Sequence, residues 1–206
     1  MRLRVQPRDP SFLDAAASVG GQLVEATNLL ASVLGADESL RQDLGQRMVE
    51  LQVEATETGH GALAGVGRSW VTSLDRDDSY RLIAAVVDVL DVLQSTADLV
   101  IVLRAEVSHG LAADLVEVVQ RQSELCEHAL RQLRRPSGGP ERWTTSRRLA
   151  RQAATLGNRM LALNLETSRD VGDLRRREEI RLALLRCSDT LTRLARTIDA
   201  IVIKEH

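Results

Sequence analysis

The chain has 206 residues, 44% of them hydrophobic, 27% charged and only 2% aromatic, with a formal net charge of −2. That is enough chain to bury a core without metal or disulfide staples, and a near-balanced charge excludes a general affinity for nucleic acid. The longest strictly apolar run is the six residues Leu82 to Val87, too short to span a membrane.

The opening MRLRVQPRDP has basic residues but no apolar segment, so no signal peptide is expected. Cys126 and Cys187 lack paired metal-ligand spacing and read as ordinary buried thiols of a reducing compartment. These features together predict a cytoplasmic, all-α protein. The charge is unevenly distributed: residues 1–105 hold 9 basic and 15 acidic groups, a balance of −6, and residues 106–206 hold 18 and 14, a balance of +4.

Helical periodicity then runs almost without interruption. Pro10-Ser11 opens a first helix, with Ser11 placed to cap it, and Phe12, Ala16, Val19, Leu23, Leu30 and Val33 mark its core stripe as far as Gly35. A second helix is expected from about Leu40 to Val71. Ser73 to Asp78 forms a turn whose acids stand at the start of a third helix, about 76–105, where the helix dipole favours them. A fourth is expected from Val107 or His109 to Arg135, ended by Pro136-Ser-Gly-Gly-Pro140. The fifth and sixth cover about Glu141–Glu166 and Asp173–Lys204.

A shift of 101 residues lays Asp88, Leu90, Leu93, Thr96 and Asp98 on Asp189, Leu191, Leu194, Thr197 and Asp199. This predicts one domain over 1–206, six long helices as two repeated three-helix bundles at about 11–105 and 108–206. The segments 99–103 and 200–203 are apolar on every side, and as helix ends they are expected to be buried in the bundle.

No phosphate-cradling glycine loop and no nucleophile motif is present. What could carry chemistry is a set of carboxylates. Glu50, Glu54 and Glu57 fall at i, i+4 and i+7, with His60 three further on, so all four share one side of the second helix. Asp88 and Asp91 stand at i and i+3 on the third helix, with Asp98 a heptad beyond Asp91. Either the two acidic faces adjoin and Glu54, Glu57, His60, Asp88 and Asp91 hold a divalent or ferric cation, or they are solvated faces. His109 and His128 read as surface groups, and Arg175 to Arg177 before Glu178-Glu179 as a salt-bridged helix start. Arg147, Arg148 and Arg151 lack interleaved aromatic residues, so nucleic acid is not an expected partner.

Leu74-Asp75-Arg76-Asp77-Asp78, the helix with Asp88-x-x-Asp91 after it, the closing Ile201-Val202-Ile203-Lys204 and the opening Asp9-Pro-Ser-Phe12 with Leu23-Val-Glu-Ala26 together resemble the PhoU-like phosphate transport regulator family. The branch that accompanies Pit-type phosphate transporters is the nearest in pattern. The resemblance implies two three-helix repeats and a non-catalytic cytoplasmic regulator, in contact with a membrane phosphate transporter and often oligomeric, at most peripheral to the membrane. It also implies Glu-x-x-x-Asp metal motifs on the second and fifth helices, with related motifs on the third and sixth. Here those positions hold Gln52 and Thr56, Ala154 and Asn158, and Leu185 and Asp189. Asp88, Asp91 and Asp189 alone keep carboxylates, so the second-half site is expected to be lost. A first-half site would need Glu54, Glu57 or His60 to substitute, and no cofactor is confidently expected.

Overall fold

The computed structural model describes residues 10–68, 74–104, 109–134 and 139–204. The described residues form six α-helices and no strand: α1 (Pro10–Gly35), α2 (Glu38–Arg68), α3 (Arg76–Leu103), α4 (His109–Arg131, with the 3₁₀ turn Gln132–Arg134 after it), α5 (Gly139–Thr167) and α6 (Val171–Lys204).

The ends differ from expectation in ways local chemistry explains. α1 is helical from Pro10, the first described residue, so Ser11 lies within the helix and not at the position before it. α3 stops at Leu103, two residues before the expected end, because Arg104 adopts a left-handed conformation with φ of 46° and terminates it. At the other end of α3, Asp75 caps the helix, its side chain accepting a hydrogen bond from the Asp77 N–H at 3.3 Å. The part of α2 expected over 69–71 and the part of α4 over 107–108 and at 135 lie outside the described residues.

Within each half the three helices pack on one another: α1, α2 and α3 touch pairwise, and so do α4, α5 and α6. The halves meet along two seams, α1 on α4 and α3 on α6. One broad side therefore runs α2, α3, α6, α5 and the other α2, α1, α4, α5. Amphipathic stripes fill the middle: Leu23 and Leu30 of α1, Leu82 and Leu93 of α3, Leu115 of α4 and Leu184 and Leu194 of α6 are all fully buried.

Buried polar groups bond in pairs between helices, two of the pairs across the seams. The Thr27 and Ser123 hydroxyls share a hydrogen bond at 2.9 Å between α1 and α4. The Thr96 hydroxyl and Cys187 thiol are 3.3 Å apart between α3 and α6, and Gln122 of α4 donates to Thr192 of α6 at 3.1 Å. Cys126 and Cys187 are both buried; desolvation pushes their thiols up to about 12 and about 11.

The apolar helix ends are not wholly buried, contrary to expectation. Val100 and Ile201 face the core, but Val102 and Ile203 are each 75% exposed. Residues two apart on a helix point about 200° from each other, so a uniformly apolar end presents one side to the core and another outward.

Lys204, the chain's one lysine, ties the end of α6 to the start of α3: its ammonium lies 3.2 Å from Asp75 and 2.7 Å from Asp78. The bonds to Asp78 and Asp75 raise the lysine's pKa above its ordinary 10.5, and the bond from Lys204 leads the causes that lower Asp75 below 3.8. For a raised base the stabilisation is complete below 10.5 and is lost as pH climbs through the higher folded value. For a lowered acid it is complete above 3.8 and is lost as pH falls through the lower folded value. Lys204→Met should therefore lower the melting temperature at neutral pH, and the gap between variant and parent should close at both pH extremes; a pH series of thermal melts checks this.

Candidate functional site

The carboxylate-bearing side of α2 and α3 is the natural place to look for chemistry. α2 runs antiparallel to α3 and meets it along a heptad line, Gly45, Gln52 and Gly59. A Cβ placed on Gly45 would come 2.5 Å from Ile101, and one on Gly59 would come 2.7 Å from Ile83. A larger residue at either position would push the facing isoleucine side chain aside, so the two glycines make room for Ile101 and Ile83 of α3. Between them, the Gln52 amide donates to Asp91 at 2.6 Å, and the Thr56 hydroxyl donates to the Gln52 carbonyl at 2.9 Å.

Glu50, Glu54 and Glu57 stand roughly 140–200° around α2 from this line, at about 100° per residue. Glu50 and Glu54 accept ion pairs from Arg47, at 3.6 and 3.5 Å, and Arg47 also bonds Glu25 of α1 at 3.1 Å. They belong to the α1 side of the helix, away from α3. Glu57 and His60 are exposed, as are Asp88 and Asp91 on α3. The acidic faces of the second and third helices thus do not adjoin. The shared spacing is real, but α2 turns its Gly45–Gln52–Gly59 line to α3 and its glutamates outward.

Among the described residues, no three His, Cys, Asp or Glu side chains come together in a way that could hold a metal ion. The neutral Gln52 and Thr56 are bonded to Asp91 and to backbone, leaving too few anionic oxygens in one place for a hard cation. In the other half, Leu185 packs against Gly157, its Cδ1 2.8 Å from where a Cβ would sit, while Ala154, Asn158 and Asp189 are exposed. These donor sets do not fit a multinuclear metal cluster. Protein purified without chelator should carry well under one equivalent of iron, manganese or magnesium, and Asp88→Ala/Asp91→Ala should leave that content unchanged; elemental analysis of both checks it.

His128 is exposed and shares a 2.7 Å hydrogen bond with Gln132, and the side chain of His109 lies outside the described residues.

Two grooves among the described residues flank these helices. One, about 390 Å³, lies between α2 and α3 and is lined by Gln42, Gly45, Gln46, Val49, Asp98, Ile101 and Val102. Asp98 accepts a 2.5 Å hydrogen bond from Gln94, and partial burial raises its pKa. The other, about 360 Å³ and mostly apolar, runs between α1 and α4 beside Leu34, Ala112 and Val116.

The residue that sequence reasoning missed is Arg142. Its Nε donates to Asp199 at 2.7 Å, and both side chains are almost fully buried between α5 and α6. The available signal was Asp199 itself, an acid one residue from the buried Ile198 on a core-facing helix, since a buried carboxylate requires a partner.

No protein-family model and no curated protein sequence matches the chain. Solved structures do. A PhoU-like protein from Shewanella oneidensis MR-1 superposes with a TM-score of 0.81 at 10% identity, covering 93% of this chain and 99% of that one. A second protein of that organism, described as a PhoU-like phosphate regulatory protein, gives 0.82 at 8% identity, covering 94% and 99%. The fold is PhoU-like. At this identity the arrangement of helices is shared while nearly every side chain differs, so the agreement speaks for architecture and the site must be argued from this chain's own residues. Within the PhoU-like frame, the described residues form no helix long and apolar enough to cross a membrane.

Proposed function

We propose that this protein is a non-catalytic regulator or accessory of inorganic phosphate transport, working in the cytoplasm through contact with a membrane transporter of the Pit type and as a homo-oligomer. The observation that carries the reading is the agreement of nearly the whole chain with the fold of a PhoU-like phosphate regulatory protein, end to end on both sides. The chemistry of the described residues supports a role through contacts. The two thiols are buried and held in the protonated form, and the carboxylates of α2 and α3 diverge.

Deleting the gene and measuring phosphate uptake together with transporter abundance tests the regulatory role, and crosslinking in intact cells followed by recovery of the transporter tests the contact. Altered uptake with a crosslinked transporter is expected. Unchanged uptake and unchanged transporter level would overturn the proposal. Sedimentation of the purified protein tests the oligomer separately.

A further inference from the structure

The two halves share a plan but carry opposite charge on the same broad side. α2 and α3 hold 10 acidic and 5 basic residues, a balance of −5, whereas α5 and α6 hold 7 and 13, a balance of +6. On α6, Arg186, Arg193 and Arg196 lie along one exposed stripe, interrupted only by Asp189. On α5, Arg147 and Arg151 follow at four-residue spacing along the flank bordering α6, next to the Gly157–Leu185 contact. None of these five arginines forms an ion pair with a described residue. The 101-residue shift gives an internal control: Arg186, Arg193 and Arg196 fall on Ala85, Val92 and Ser95, so the fold itself does not require cations there.

Apolar side chains stand among the arginines. Trp143 is 48% exposed with the Arg147 guanidinium 4.9 Å from its ring centroid, and Leu165 and Leu182 are 63% and 41% exposed on the same two helices. Tryptophan, leucine and arginine interleaved on one helical face is the composition of surfaces that lie in a lipid headgroup region. A nucleic-acid surface would have no use for exposed leucines between its phosphate contacts.

We infer that the α5–α6 face is a docking surface for an anionic lipid bilayer. The arginines meet lipid phosphates, and Trp143 and the leucines enter the headgroup layer. The inference deepens the proposed work at a membrane transporter. Its test needs no transporter, so the two fail separately.

The full-length protein is mixed with vesicles of phosphatidylcholine alone or with phosphatidylglycerol, and binding is read by co-sedimentation. Each cation at an anionic surface contributes about fivefold in affinity. Arg186→Gln/Arg193→Gln/Arg196→Gln should therefore weaken binding to the anionic vesicles by about a hundredfold, with the circular dichroism unchanged. A blue shift of tryptophan emission on binding, absent in Trp143→Phe, is expected if the ring enters the headgroups. Inorganic phosphate should release the protein no better than sodium chloride of equal ionic strength. Four results would overturn the inference: equal binding to both vesicles, no binding to either, full binding by the triple variant, or specific release by inorganic phosphate.

Discussion

Replacing Arg142 with methionine is expected to destabilise the protein by about 3–5 kcal/mol, because it strands the Asp199 carboxylate in the interior. The two side chains are 6% and 10% exposed, and the bond from Nε to Oδ1 at 2.7 Å is the one that satisfies the acid, whose Oδ2 already has no hydrogen-bond partner. Removing both charges should be far milder: Arg142→Met/Asp199→Leu should recover most of the loss, since neither group is then left uncompensated. The repeat supplies a contrast. Asp98, which the 101-residue shift lays on Asp199, is half-exposed and bonded by Gln94, so Asp98→Asn should change stability by less than about 0.5 kcal/mol. Urea unfolding of the three variants measures all of this, and a loss below about 1 kcal/mol for Arg142→Met would show that the pair is not what holds α5 to α6.

Truncating the paired core leucines should cost nearly as much. Leu93 and Leu194 are both completely buried and are related by the same shift of 101. Each replaced by alanine leaves a cavity at a seam helix, and a buried Leu→Ala change costs about 2–5 kcal/mol. We propose that the halves are true repeats in packing as well as in sequence, and on that reading the two losses should agree to within about 1 kcal/mol. The urea midpoints of Leu93→Ala and Leu194→Ala decide it; a large loss at one position and near-tolerance at the other would mean that only the sequence pattern recurs.

The periodicity of leucine, valine and alanine was enough to place six helices in the right order, because each helix buries one stripe and the stripe repeats with the helix turn. The pattern of contacts could also be anticipated from the matched positions of α3 and α6. The rotation of α2 was harder to read. Glu50, Glu54, Glu57 and His60 do lie along one stretch of helix surface, but spacing cannot say which side of a two-sided helix meets its neighbour. The glycines at 45 and 59, a heptad either side of Gln52, mark that side, since they leave room for Ile101 and Ile83 of α3. Helix ends were misplaced at Ser11 and at Arg104, and at Arg104 a left-handed residue outweighs the apolar pattern. Arg142 could not be singled out among 26 arginines, because nothing local distinguishes a buried one from an exposed one.

The two seams also bear on how the chain assembles. The pairs Thr27–Ser123 and Thr96–Cys187 join residues 96 and 91 positions apart, whereas each half closes through helices one or two places apart in the chain. Closing a long loop costs more entropy than closing a hairpin, so the three-helix units gain their contacts early and the seams form after them. The hydroxyl and thiol pairs then act as alignment marks: buried polar groups with few alternative partners penalise any docking of one half on the other that is out of register by a turn. Leucine against leucine along the rest of the seam would tolerate such a slip far better. A handful of small polar side chains thus gives the two three-helix bundles a single way to fit together.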